Sequence, residues 1–152
     1  MTNIALRQLA RDFYQARMSR NPAKIAPFLD EDVTWSISGP VELIPFCGER
    51  RGKEAVIDAI VRVAPALLTV TKLEFEELLV DGDRAAGFTR VTAVQTSTKR
   101  IISYQRAELF IFRDNKIISY RAILDSFDVA EQVLGHQIDI SIPRRNLAMS
   151  AN

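Results

Sequence analysis

Two residue types that carry much of protein chemistry are almost missing from this 152-residue chain, which has one cysteine, Cys47, and one histidine, His136. A single cysteine allows no internal disulfide, so a reducing, cytoplasmic setting is expected. One histidine with one cysteine cannot supply the usual ligand number of a zinc site. No spaced carboxylate set suggests calcium or magnesium, and neither a metal nor another cofactor is expected. No histidine stands near Cys47 in the sequence to support a thiolate nucleophile. An excess of one charge is lacking too: 20 Lys and Arg balance 19 Asp and Glu, leaving a net charge of +1. With no basic stripe interleaved with aromatics, nucleic acid is not an expected partner. Long apolar runs are also absent. Arg7, Arg11 and Asp12 interrupt the amino-terminal stretch, and Asp58, Arg62 and Pro65 interrupt residues 55–70, so neither signal peptide nor membrane span is expected.

What is present is regular patterning without internal repeats. Residues 3–19 place Leu6, Leu9, Ala10, Phe13 and Ala16 on one helical stripe. Asn21-Pro22 then stops that helix and caps a short one to about Leu29. Val33 to Ser38 alternates as a strand, with Val33, Trp35 and Ile37 on one side. From Gly39 to Gly52 no period survives five prolines and glycines, which predicts a long loop whose apolar Val41, Leu43, Ile44 and Phe46 suit a lid. A third helix is expected over 53–64, ended by Pro65. Val70 to Val80 and Asp83 to Gln95 flank Asp81-Gly82, the signal of a hairpin. Two more strands, 101–112 and 116–124, follow, and a helix over 126–134 is closed by Gly135 with Asp125 or Ser126 as its cap. Helices first and strands afterwards predict an α+β domain over 1–135, with 136–152 as a carboxy-terminal tail. At this length the fold should bury roughly 70% of the unfolded chain's surface without a staple.

The strand 101–112 carries the sharpest functional signal. Its period of two puts Tyr104, Arg106, Glu108, Phe110 and Phe112 on one side and smaller residues on the other. A face that mixes large rings with an arginine and a carboxylate two positions apart suits a pocket wall, because buried charges need partners or water.

Three strings, Leu29-Asp30-Glu31-Asp32-Val33-Thr34-Trp35, Arg51-Gly52-Lys53-Glu54-Ala55-Val56 and the run Phe112 to Arg121, together with the element order, resemble the nuclear transport factor 2-like fold. Within it, the chain is similar to SnoaL-like and ketosteroid isomerase-related proteins over residues 3–134. The resemblance implies a cone-shaped, curved antiparallel sheet wrapped around the amino-terminal helices, a cystatin-like arrangement with a pocket between the layers. It also implies a homodimer through the outer sheet face, here Thr89, Val91, Gln105, Ala107, Leu109, Ser119, Arg121 and Ile123. Such a scaffold serves isomerases, cyclases, hydratases and adaptors alike, so chemistry must come from residues. In ketosteroid isomerases a general-base Asp works with an oxyanion hole of Tyr and protonated Asp. Matching strings puts these positions on Ile37, Phe13 and Glu108. The resemblance to limonene epoxide hydrolases, over Tyr120 to Val133, puts an Arg with two carboxylates on Arg90, Thr92 and Ala122. Neither mechanism carries over whole.

Glu108 is therefore the candidate acid or base, with Arg106, Arg90 and Tyr104 as holders of developing negative charge. The plainer alternative is a buried Arg106–Glu108 pair with no chemistry. Phe13, Trp35, Ile37, Phe46, Phe88, Thr92, Phe110, Tyr120 and Ala122 are the expected pocket lining, fit for a small, mostly apolar organic ligand. Tyr14, about 100° around the helix from Phe13, is expected to point away. Either an enzyme acting beside a carbonyl or a non-catalytic binding module follows from this set.

Overall fold

A computed structural model describes residues 1–141. Most of the expected tail, 142–152, lies outside the described residues, and 136–141 follow the last helix without regular structure.

Helix α1 spans Asn3–Ser19, begun by Thr2, whose hydroxyl accepts from the Ala5 N–H at 3.2 Å. Asn21 caps α2, Pro22–Ile25, by accepting from the Ala23 N–H at 2.9 Å, and a tight 3₁₀ turn to Phe28 follows. Strand β1 is Leu29–Ser38, four residues longer at its start than the alternation suggested. The expected lid loop is not all loop, because Gly48–Arg51 forms β2, antiparallel to β1. Its Gly-Glu-Arg-Arg sequence has little strand propensity, and its pairing comes from the ready edge of β1.

Helix α3, Lys53–Asp58, was expected to stop at Pro65, and it does not. Proline lacks an N–H and crowds the carbonyl four residues back. The chain accommodates this by widening: Ala59–Val63 is π-helical, the Ala64 N–H bonds the Ala59 carbonyl, and α4, Ala64–Leu67, continues past the ring.

Strands β3 (Leu68–Asp81), β4 (Arg84–Gln95), β5 (Ile101–Arg113) and β6 (Lys116–Leu124) follow as hairpins, then α5, Ser126–Leu134. The β5–β6 turn has Asp114 and Asn115 both left-handed, as a two-residue hairpin turn requires. Asp125 caps α5 through the Asp128 N–H at 3.1 Å, and Gly135 closes it with φ of 80°. The sheet order is β2-β1-β6-β5-β4-β3, with β1 and β6 parallel and every other pair antiparallel. Register shifts between Val70 and Lys72 and between Phe75 and Glu77 bend β3, giving the sheet the curvature in which α1 lies.

Gly87 sits opposite the second of these shifts. A Cβ there would stand 2.6 Å from the Glu77 carbonyl oxygen, a backbone atom that cannot step aside. Gly87→Ala is expected to cost about 1–3 kcal/mol, measured as a shift in urea unfolding. An unchanged midpoint would mean that the bulge is free to move.

Candidate functional site

Strand β5 aims alternate residues into the concave face, and Tyr104, Arg106, Glu108, Phe110 and Phe112 are all buried there. Beside it, β6 turns Tyr120 and Ala122 inward, and β1 turns Trp35 and Ile37. Rings fill the middle of the hollow. Trp35 stacks on Tyr120 with centroids 3.8 Å apart, and Phe110 meets Phe13, Tyr14 and Tyr120 edge-on.

Glu108 lies behind these rings with its side chain 0% exposed. Two phenols donate to its Oε2, Tyr120 at 2.6 Å and Tyr14 at shorter range. Arg106 Nη2 donates to the Tyr14 oxygen at 3.3 Å, and Arg106 Nε approaches Glu108 Oε1 to 3.2 Å. That last contact is misaligned, so neither atom has a hydrogen-bond partner. Loss of water pushes the Glu108 carboxyl up to about 8, against the hydrogen bond from Tyr120. Arg106 would favour the carboxylate, but its Nε–H is poorly aimed at Oε1, and the net direction is upward. At neutral pH Glu108 thus holds a proton in a dry interior. Burial also raises the phenols of Tyr120 and Tyr104.

A separate small cavity, about 50 Å³, opens between the end of α1, the π-helical segment and the strands β1 and β3. Trp35, Ile37 and Phe46 form part of its wall, while Glu108, Tyr104, Phe13, Phe110, Tyr120 and Ala122 do not. The cavity connects to the acid by two contacts: Trp35 stacks on Tyr120, and the Arg17 guanidinium lies 5.4 Å from the Trp35 ring centre and 6.0 Å from that of Tyr120.

Three expected site residues lie elsewhere. Phe88, 52% exposed, Arg90 and Thr92 project from the outer face, and Arg90 pairs with Glu76 at 2.6 Å. The strand β4 turns Thr89 and Val91 inward instead, so these two do not belong to the outer face assigned to them. Tyr14, expected to point away, is buried and bonded to Glu108, because a helix laid in a concave sheet is covered over a wider arc than one stripe. Arg17, also missed, sits four positions after Phe13 and three after Tyr14, a helical spacing that marks one face. Cys47 is buried with its thiol pushed up to about 11, chiefly by loss of water, far from nucleophilic readiness. Among the described residues, no group of His, Cys, Asp and Glu could hold a metal ion.

A curved sheet folded over an amino-terminal helix is the nuclear transport factor 2-like arrangement. The SnoaL-like domain family matches residues 10–120, and the chain belongs to that family. Its structure is similar to a proposed isomerase from Rhodopseudomonas palustris, at 30% identity and TM-score 0.78, covering 90% of this chain and 100% of that one. It is also similar in fold to a hypothetical protein with a ketosteroid isomerase-like fold from Catenulispora acidiphila in complex with trimethylamine, at 16% identity and TM-score 0.70, covering 88% and 97%. TerC co-crystallized with polyporic acid shares the fold at 17% identity and TM-score 0.72, covering 84% and 96%. No curated protein matches the sequence significantly.

Proposed function

We propose that the chain binds a small, mostly apolar organic molecule in the cavity beside Trp35 and performs acid/base chemistry next to a carbonyl, of isomerase, cyclase or hydratase type. The observation that carries this reading is Glu108, a fully buried carboxyl bonded by Tyr14 and Tyr120 and protonated in the neutral range. Acids tuned in this way match the pH at which they work. Tyr120, whose hydroxyl donates to Glu108 and stands beside the Arg17 guanidinium of the cavity lining, is the polar link between the acid and the cavity. Similar folds solved with polyporic acid and trimethylamine support a small-molecule site.

The experiment is deuterium exchange at the α-carbon of a small cyclic enone, followed by NMR. The unaltered chain should accelerate exchange above buffer, and Glu108→Gln, which keeps shape but not ionisation, should lose about 100-fold or more. A specific observation favours a second reading, a non-catalytic binding module with a structural Arg106–Glu108 pair: the Glu108 side chain does not reach the cavity wall. Equal exchange rates with and without Glu108 would select it.

The outer face exposes Leu79, Phe88 and Ile123 around the smaller Ala107, a patch that fits pairing of two copies through their sheets. Light scattering at micromolar concentration should give twice the chain mass, and Phe88→Glu should give the monomer. A cytoplasmic setting fits the single, buried Cys47. No helix among the described residues is long and apolar enough to cross a membrane.

A further inference from the structure

The cavity beside Trp35 has a lopsided lining: among the described residues its only charged ones are Arg17 and Arg20, from the last turn of α1 and its cap, against apolar walls that include Ile37, Phe46 and Leu68. Arg20 is exposed at the rim, but Arg17 Nη1 is shut away from water and has no hydrogen-bond partner. Among the described residues, no carboxylate lies within ion-pair distance of Arg17. Its rings of contact, Trp35 and Tyr120, offset part of the lost hydration through their π-faces. Of the two, only the Tyr120 hydroxyl stands close enough to act as an acceptor for the guanidinium, and it leaves Nη1 without a partner. Arg106, a second buried cation, presses in the same direction as burial and lowers the basicity of Arg17. A helix end does favour cations, yet an arginine there normally meets that field with its head in water. A guanidinium with one nitrogen, Nη1, buried and unpaired beside an apolar cavity is an arrangement that an incoming anion would complete.

We propose that this cavity is an anion site, taking a small carboxylate with a short apolar body whose oxygens pair with the Arg17 guanidinium. This rests on the reading that the cavity is where the ligand sits. Its 50 Å³ has room for about three to five water-sized groups at 10–15 Å³ each, which suits a carboxylate carrying two or three carbons. The carboxylate head meets Arg17, and the chain lies against Trp35 and Leu68.

Trp35 is the only tryptophan of the chain, so its emission reports on the cavity wall directly. The full chain is titrated at pH 7 and constant ionic strength with sodium butyrate and, separately, with butyramide, its uncharged counterpart of equal shape. Butyrate should change the emission saturably, and butyramide should bind at least tenfold more weakly. Arg17→Met, which keeps the apolar stem, should lose at least tenfold in butyrate affinity, while Arg17→Lys keeps most of it. Equal binding of acid and amide overturns the anion proposal and leaves the cavity as a ligand site. Butyrate binding untouched by Arg17→Met overturns it as well. If neither molecule binds, both the proposal and the ligand-site reading fall. Should Arg17→Met not fold, the comparison of acid with amide on the unaltered chain decides alone.

Discussion

Glu108→Gln should flatten a pH dependence of stability that the unaltered protein shows between about pH 4.5 and 8. The carboxyl of an unfolded chain titrates near 4.5, whereas the folded one keeps its proton up to about 8. Across that window the folded form binds more protons than the unfolded form, so stability is fully present below 4.5 and drains away as pH rises through 8. The slope is on the order of 1 kcal/mol per pH unit. Most domains gain stability over part of this range, which makes the sign diagnostic. Urea unfolding at half-unit pH steps measures it on both proteins. Stability that instead rises toward pH 8 would mean that Arg106 holds Glu108 ionised, and the acid would then be a structural ion-pair partner with no proton to give.

Phe110→Ala should cost about 3–5 kcal/mol, since it removes a fully buried ring at the meeting point of Phe13, Tyr14, Phe112 and Tyr120. In a chain of this size that corresponds to a fall in Tm of roughly 10 °C. The informative comparison is Phe88→Ala. Both phenylalanines look alike in a strand pattern, but Phe88 stands outside, and its loss should cost less than about 0.5 kcal/mol in a dilute monomer. Any larger effect should grow with protein concentration, as befits a residue acting through pairing of copies. Equal costs for the two rings at high dilution would contradict the inward and outward assignment of β4.

That assignment is also where sequence reading reached its limit. Along β5 the two faces differ in kind, rings and charges against Ala107, Leu109 and Ile111, so direction is legible from alternation alone. Along β4 both faces carry apolar and small residues, Phe88 and Val94 on one and Ala85, Val91 and Ala93 on the other. A one-residue slip there leaves the pattern equally plausible, and it carried Phe88, Arg90 and Thr92 to the wrong side. The helix posed a different difficulty. A narrow stripe through Phe13 excluded Tyr14 and Arg17, yet the concave sheet wraps both. Element types were largely legible because caps and turns are local signals: Asn21, Asp125, Gly135 and the Asp81-Gly82 turn each stand where the chain changes direction. β2 and the widened turn before Pro65 were not, since one arises from a neighbour's edge and the other from a hydrogen-bond shift that no periodicity records.

The parallel seam between β1 and β6 has a kinetic consequence. Ser38 and its partner Ile123 are far apart along the chain, so during synthesis β1 leaves the ribosome long before its inner neighbour exists. Until then only the four residues of β2 can pair with its edge, and the Tyr120 ring that stacks on Trp35 is still missing. Closure of so large a loop predicts slow folding for a domain of this length, with a chaperone-visible species lasting until the final strand arrives.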